Sequence, residues 1–446
     1  VGKSENIHHL SASIFDSLYS SNISLNINID EDKTINLHGF GIKSIEWNTF
    51  INYNKSIRTI ILSSNYLSYI PNKIFSNFNK TLINLNLQDN ELNCLNNNNF
   101  LRYLKNLRLL DISKNKINKI ISENFYGLKR LDTLILRENK INSLSNNLFI
   151  YCQKLRTLDL SDNNISYIDI NAFYLLNNLK ILLLNNNPLG EYILTNKLFK
   201  SLKNLEYIDL ENSQIKNLLP FLFISNNNLK SIKLRRNFFT INQYNLYLNS
   251  NMILKQTFCG TKSLIEIDLV NTNLKTLDIC TYHQIPTLRR LYLMNNPLDC
   301  TCDLFYLKYG DIYRLLINHL NNSDQINQNM DIYLNHWISR PELRRHLENA
   351  FIRGDIQRLP IELSLFARCQ TPKQYNGYEI DNITGIYNQC IYRWIDIEQQ
   401  CKNYCLFNHH IENYFITNNS ILLQYKLFII LLNNFYLFLI RFLFFL

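Results

Sequence analysis

The sequence predicts an α/β solenoid, in which short parallel strands stack side by side along a repeating chain. One sequence pattern recurs through about two thirds of the 446 residues. In 155–173, six apolar residues and one asparagine fall at offsets 0, 3, 5, 8, 10, 13 and 18, and the same pattern begins at Leu107 and Leu131. Units of this length bury their apolar side only against their neighbours, so the repeat indicates a solenoid.

The strands are predicted by the alternation inside each unit. In the core Leu-x-x-Leu-x-Leu, the last two leucines alternate with other residues, which is the period of a strand with one buried face. A late phenylalanine, such as Phe173, is expected to fill the wide outer side of the coil. Stacked coils therefore place their short strands in one parallel sheet.

An asparagine after each strand is the second recurring feature. Its amide offers donors and an acceptor to backbone groups that the turn inside the solenoid would otherwise leave unpaired. Successive positions lie 24 to 26 residues apart, except for one step of 35 that holds an insertion around 238–258. The asparagines of this ladder are Asn65, Asn90, Asn115, Asn139, Asn163, Asn187, Asn237 and Asn296. Phe40, Ser213 and Thr272 stand at the equivalent places in the remaining coils.

The composition narrows the function classes. The chain is 46% hydrophobic with a formal net charge of +10, and it is long enough for a sizeable core. Its lysines and arginines are scattered without a long run, so they are interpreted as a solvated surface, and no nucleic-acid partner is predicted. There is no His-Glu-x-x-His, Gly-x-Ser-x-Gly or phosphate-binding glycine loop. Neither an enzyme nor a cofactor is therefore predicted.

A cysteine-rich segment follows the last repeat. Residues 296–302 read NPLDCTC, residues 368–372 read RCQTP, and Cys390 comes later. With the repeats, these motifs resemble extracellular leucine-rich repeat proteins with a cysteine-rich C-terminal flank, such as Toll-type receptor ectodomains, Slit and neuronal adhesion receptors. The resemblance covers about residues 35–390 and implies a curved horseshoe with a parallel sheet on its concave side. It departs from those proteins in the long separation of Cys302 from Cys369.

The resemblance also implies specific disulfides. By position in the flank, Cys300 is expected to pair with Cys369, and Cys302 with Cys390. Such bridges persist in an oxidising compartment, so an extracellular location is expected. Seven glycosylation sequons are permitted there. They are Asn22, Asn54, Asn79, Asn164, Asn321, Asn382 and Asn418.

The other cysteines leave alternatives open. Cys152 stands at an apolar position of its coil and is predicted to be a buried thiol, and Cys94 has no evident mate. Cys259 and Cys280 fall on the outer side of adjacent coils and form a candidate pair. The segment 401–410, CKNYCLFNHH, is interpreted as a local bridge or spare thiols in preference to a zinc site.

The chain divides into five parts. Residues 1–34 are expected to cap the first coil through a strand pair, in which the alternating apolar residues of 23–29 pair with an extended segment at 34–37. Residues 35–299 hold about ten or eleven repeats, and 300–390 form the flank with its long insertion. A juxtamembrane linker, 391–420, leads to the apolar segment 421–446, which is long enough to span a bilayer. A spanning anchor, a lipid-anchor signal cut near 418–420 and mistranslated AT-rich sequence are the alternatives for this segment.

Binding residues are predicted on the concave side, beside the buried positions of each strand. Apolar side chains stand there where the array has no structural need of them, with cations nearby, and this is the composition of a protein-binding hot spot. The predicted residues are Ile135, Arg137, Ile181, Leu183, Tyr207, Asp209, Lys233 and Arg235. The sequence thus predicts a non-enzymatic receptor or adhesion protein with a protein or glycan ligand. A matrix spacer without one strong ligand is the alternative.

Overall fold

The computed structural model describes residues 8–20, 33–53, 56–95, 100–190, 194–240, 256–276, 279–283, 285, 287–304, 362–363, 367–378 and 401. All of them belong to a unit that extends to Cys401. The second unit, 402–446, lies outside the described residues, and so does the predicted anchor within it. Among the described helices, none has the length and apolar character that crossing a membrane requires.

The elements are mostly strands of two or three residues. The strands are β1 His9–Leu10, β2 Thr34–Asn36, β3 Ser44–Ile45, β4 Thr59–Ile61, β5 Asn84–Asn86, β6 Leu109–Asp111, β7 Thr133–Ile135, β8 Ser143–Leu144, β9 Thr157–Asp159, β10 Tyr167–Ile168, β11 Ile181–Leu183, β12 Tyr207–Asp209, β13 Ser231–Lys233, β14 Glu266–Asp268, β15 Arg290–Tyr292, β16 Leu298–Asp299, β17 Glu362–Leu363 and β18 Cys369–Thr371. The helices are α1 Ala12–Ser20, α2 Asn196–Phe199 and α3 Ile279–His283. Single 3₁₀ turns lie at Ser76–Phe78, Ser122–Phe125 and Lys373–Tyr375.

One parallel sheet of 12 strands runs through the solenoid. Its order is β2, β4, β5, β6, β7, β9, β11, β12, β13, β14, β15 and β17. The middle residue of each strand from β2 to β15 is buried, as Leu158 and Ile208 illustrate. The predicted solenoid of stacked coils with one buried strand face is therefore confirmed. The sheet crosses the insertion at 238–258 without a shift, since Ile232 pairs with Ile267.

The ladder asparagines are buried and join each coil to the one before it. Asn163 is representative, since its Oδ1 accepts from the Ile141 N–H of the preceding coil at 3.0 Å. Its Nδ2 donates to the Leu136 carbonyl at 3.0 Å and to two carbonyls of its own turn, those of Leu160 and Ser161. Each amide therefore pairs backbone groups that no strand partner reaches.

Asn163→Ala is expected to lower the free energy of unfolding by about 1–3 kcal/mol, because it leaves buried backbone groups of two coils unpaired. Ser213→Ala is the matched comparison and should cost less. The Ser213 hydroxyl only donates, to the carbonyls of Leu184 and Glu211 at 3.3 and 3.1 Å. Chemical denaturation of both variants measures the difference. Equal losses near zero would contradict the role of the ladder.

The outer side of the coils is filled by phenylalanine, as the repeat predicted. Phe149 and Phe173 stack with ring centroids 6.3 Å apart, and Phe223 and Phe258 repeat that distance across the insertion. These rings are fully buried. The buried thiol predicted at Cys152 is confirmed, and burial raises its pKa to about 12.

The N-terminal region contains elements that the sequence did not predict. Strand β1 pairs with β3 on the outer side of the first coil, and the helix α1, which the sequence analysis did not predict, follows it. Phe15 of α1 is buried edge-on against Phe50, with centroids 5.1 Å apart. Thr34–Asn36 is extended as predicted, but it is the end strand of the main sheet. The expected partner strand at 23–29 lies outside the described residues.

The C-terminal flank is tied to the last coils by disulfides. Cys300 is bonded to Cys369, which is the predicted pairing, and β16 pairs with β18 beside that bond. Cys302 is disulfide-bonded as well, although its expected mate Cys390 lies outside the described residues. The strand β17, within the long insertion, adds to the sheet beside β15. The flank therefore covers the sheet edge that the last repeat would expose.

The candidate pair of Cys259 with Cys280 is wrong. Cys280 is bonded to Cys401, 121 residues later in the chain. The same bond removes the Cys401 thiol from any zinc site in the segment 401–410. Stacking brings residues of adjacent coils near one another, but a cysteine on the outer side can also be reached by a segment that comes later in the chain. Cys94 is a free, exposed thiol.

Candidate functional site

The concave face of the solenoid consists of the first and third residues of each strand, because the middle residue is buried. From β6 to β15, the first residues are Leu109, Thr133, Thr157, Ile181, Tyr207, Ser231, Glu266 and Arg290. The third residues are Asp111, Ile135, Asp159, Leu183, Asp209, Lys233, Asp268 and Tyr292. Strands in register lie about 4.8 Å apart, so neighbours in each row are within contact range.

Three of the predicted residues form one apolar group on this face. Ile181 and Leu183 lie on β11, and Tyr207 occupies the place beside Ile181 on β12. The Ile181 side chain is 37% exposed, whereas Leu183 and Tyr207 are half-buried. The group therefore leaves large apolar side chains partly exposed to water.

Ile135 does not join this apolar group. It lies on β7, and Asp159 of β9 occupies the place between it and Leu183. Arg137 is also remote from the group and is already paired. Its Nε donates to Asp162 at 2.8 Å and lies 3.4 Å from Glu138. The apolar zone is thus smaller than the sequence analysis expected.

Lys233 and Arg235 belong to a charged network on the coils that follow. The Lys233 ammonium hydrogen-bonds the Glu266 carboxylate and lies 5.5 Å from the centre of the Tyr292 ring. Arg290 approaches the same carboxylate at 3.0 Å. The Arg235 Nε is 3.8 Å from Asp268, too long for a hydrogen bond, and it is buried without a hydrogen-bond partner.

The network is balanced in charge. Four acids face four bases across strands β12 to β15 and the turns that follow them. The acids are Asp209, Glu211, Glu266 and Asp268, and the bases are Lys233, Arg235, Arg236 and Arg290. Asp209 takes part through the charge of Lys233. The two predicted cations are therefore held by acids and are not a free positive border to the apolar group.

Three of the eight members of this network, Asp209, Lys233 and Arg235, were predicted from the sequence, and the other five were missed. Glu266, Asp268, Arg290 and Tyr292 follow the insertion, and the predicted binding residues ended at the coil before it. The sequence did contain a signal for this coil. Thr272 stands at the ladder position, and Glu266 lies six residues before it, just as Tyr207 lies six residues before Ser213.

Burial and charge set the ionisation of these groups. Burial raises the pKa of Asp209 and of Glu211. Burial also opposes ionisation of Glu266, but the hydrogen bond and charge of Lys233 and the charge of Arg290 lower its pKa overall. Burial, with the nearby Asp209 carboxylate, raises the pKa of Tyr207, whose hydroxyl donates to Asp209 at 3.2 Å. Tyr207 is therefore a neutral donor beside the apolar group at physiological pH.

Two of the predicted sequons lie among the described residues. Asn79 and Asn164 are both exposed, as an attachment site for a glycan requires, and glycosylation at either position stays a prediction. The other five predicted glycosylation sites lie outside the described residues. Over the described ranges, no group of three or more histidine, cysteine or acidic side chains is arranged to hold a metal ion.

Comparisons of sequence identify the repeats. A family model described as "Leucine rich repeat" matches residues 80–141 and 129–189. A second model, "BspA type Leucine rich repeat region (6 copies)", matches residues 189–285. The mouse leucine-rich repeat-containing protein 52 is 35% identical over 86 residues, which is 19% of this chain and 24% of that protein. The chain therefore matches only about a quarter of that relative's length.

Comparisons of structure identify the fold. A chain of the mouse RP105/MD-1 complex superposes with a TM-score of 0.52 at 18% identity, covering 79% of this chain and 54% of the other. A chain of the octameric complex of Latrophilin 3, Unc5D and FLRT2 (LRR) covers 73% of this chain and 89% of its own length, with a TM-score of 0.49 and 18% identity. At 18% identity, the likeness to the chain of the RP105/MD-1 complex concerns the fold alone. Residues 80–285 match the leucine-rich repeat models, and with its in-register strands and buried asparagine ladder the described part of the chain has the fold of a leucine-rich repeat solenoid.

Proposed function

We propose that this chain is a non-enzymatic binding protein of the cell surface or the secreted space, and that it recognises a protein partner on its concave face. The apolar group of Ile181, Leu183 and Tyr207 is the proposed centre of the contact. The disulfides of the flank support a location in an oxidising compartment. Attachment to a membrane through 421–446 stays a prediction.

The exposed apolar group is the observation that carries this proposal. The core of the solenoid is filled by the buried middle residues of the strands. Ile181 and Leu183 lie on the opposite face of the sheet, so they contribute nothing to that core. An aliphatic pair beside a tyrosine, surrounded by polar residues, is the composition of a binding hot spot. Burying these side chains against a partner would remove apolar surface from water.

The charged network supplies the border of the proposed contact. Lys233, Glu266 and Arg290 hold one another in fixed positions, so they lose little side-chain freedom when a partner binds. The Arg235 Nε makes no hydrogen bond within the network and would be available to an acceptor of the partner if the side chain shifts. Such a border contributes to specificity and orientation more than to affinity.

Changing Ile181 and Leu183 together to aspartate is expected to weaken partner binding by about tenfold or more, because it places two charges at the centre of the contact. The full chain is displayed on cells, neighbouring proteins are captured by a cell-impermeant cross-linker, and mass spectrometry compares wild type with the double variant. The captured proteins are then titrated individually against both.

Ile170→Asp with Tyr174→Asp is the matched control. These two residues are 43% and 47% exposed and lie in the turn region between β10 and β11, off the concave face. The control should retain the partners that the concave variant loses. Unchanged binding by a well-folded concave variant would contradict the proposal. A chain that captures no saturable partner would favour the matrix-spacer alternative.

A further inference from the structure

One groove at an edge of the solenoid is lined by cationic residues that lie far apart in the sequence. It encloses about 330 Å³, within the range of ligand clefts. Five of the side chains that line it are cations, namely Lys33, Arg58, Lys80, Arg108 and Arg130. The others are Ser56, Thr81, Ile83 and Asn106, so no acidic residue lines the groove among the described residues.

Stacking of the coils creates this cluster. Lys33, Arg58, Ile83 and Arg108 each precede a strand of the main sheet, and they follow one another coil by coil. The Arg58 N–H donates to the Lys33 carbonyl at 2.8 Å, and the Arg108 N–H donates to the Ile83 carbonyl at 2.8 Å. The five cations therefore extend over five successive coils, a span of about 19 Å at the strand spacing of about 4.8 Å.

The same edge is neutralised farther along the chain. Arg156 lies 3.3 Å from Asp132, and Lys180 and Lys230 both donate to Glu206, at 2.6 and 2.7 Å. In the described part of the chain, none of the five groove cations takes part in an ion pair of this kind. In the row of residues directly before the strands, the cations at β9, β11 and β13 are thus paired with acids, whereas those of the first coils are not.

Polar groups of the groove also point to a ligand. Arg130 donates to the Asn106 Oδ1 at 2.8 Å, which holds one guanidinium at the groove wall. The Thr81 hydroxyl is buried and has no hydrogen-bond partner among the described residues. A buried polar atom without a partner is an exception in folded proteins and marks a place where a bound molecule or water completes the bonding.

We propose that this groove binds a sulfated polysaccharide. A cluster spanning about 19 Å exceeds the reach of one small anion and suits an extended chain with anionic groups at intervals. Arginine presents paired donors that match the oxygens of sulfate or phosphate. No aromatic side chain lines the groove in the part of the chain that the structure describes, so this lining lacks the platforms on which single-stranded nucleic acids stack their bases. The disulfides support the proposed location in an oxidising compartment, where extracellular polysaccharides occur.

The test measures binding of heparin to the full chain by surface plasmon resonance at several salt concentrations. Arg58→Gln, Arg108→Gln and Arg130→Gln are combined in a groove variant. Arg156→Gln, Lys180→Gln and Lys230→Gln are combined as the control, which removes the same charge from the acid-paired part of the same edge. All six side chains are exposed, so thermal unfolding of both variants should stay near that of the wild type.

We expect the groove variant to lose about tenfold or more in affinity and to show a shallower dependence on salt, because three counterion-releasing contacts are lost. The control should change by less than about threefold. Desulfated heparin should bind far more weakly than heparin. Equal losses in the two variants, or equal binding of desulfated heparin, would overturn the proposal. Tighter binding of double-stranded RNA than of heparin, lost in the groove variant, would assign the groove to nucleic acid instead.

Discussion

Gly127→Ala is expected to lower the free energy of unfolding by about 3 kcal/mol or more. A Cβ at this position would stand 2.4 Å from the carbonyl oxygen of Arg102, a backbone atom of the preceding coil. The residue also has a φ of +96°, which an alanine adopts only with strain. Relief of the contact requires the two coils to move apart, and that movement disturbs the hydrogen bonds between them. Chemical denaturation measures the loss.

Gly39→Ala separates the two causes. Gly39 has a φ of +72°, but no atom lies within 4 Å of the place its Cβ would occupy. Its substitution therefore carries the conformational cost alone, about 1–2 kcal/mol. Gly260→Ala should resemble Gly127→Ala, because its Cβ would stand 2.6 Å from the Ile224 carbonyl oxygen. Equal losses at Gly127 and Gly39 would mean that the spacing of the coils adapts to an added methyl group.

Removing the Cys280–Cys401 bridge by serine at both positions is expected to cost about 4–5 kcal/mol in the chain-entropy model, because the bond closes a loop across 121 residues. The expected loss is concentrated in the last coils, where the bridge anchors the later chain. Hydrogen exchange of the strands β14 and β15, beside guanidinium denaturation, measures both its size and its location.

Cys94→Ser is the control for this change, since Cys94 is an exposed free thiol and its replacement should shift stability by less than about 0.5 kcal/mol. Peptide mapping without reductant identifies the bonds themselves. Free thiols at Cys280 and Cys401 in the folded chain, or a double variant as stable as Cys94→Ser, would contradict the expectation.

The main sheet was predictable because every coil needs the same few positions. A strand of three residues requires only a buried middle residue, and the ladder asparagine marks where that strand ends. Coils that carry Ser213 or Thr272 were recognisable since a hydroxyl satisfies part of the same bonding. Repetition thus allowed each weak local signal to be checked against the others.

The features that were missed depend on contacts between coils. The helix α1 was not predicted, because its only repeat-related signal is Phe15, which packs on Phe50 of the first coil. The bond from Cys280 to Cys401 joins segments with no common spacing. The charged network and the cationic groove were also unforeseen, because their members lie about one repeat apart in sequence. Residues one repeat apart come into contact only because the coils stack.

The direction of the asparagine ladder has a consequence for synthesis of the chain. The Ile42 N–H is bonded by Asn65, and the Ile141 N–H by Asn163, so each coil is completed by a side chain 22 or 23 residues downstream. A chain emerging from the ribosome therefore always carries one unfinished coil at its growing end. We expect folding to follow translation with a lag of at least one repeat, so that a pause inside a coil leaves amide hydrogens of the coil before it unpaired.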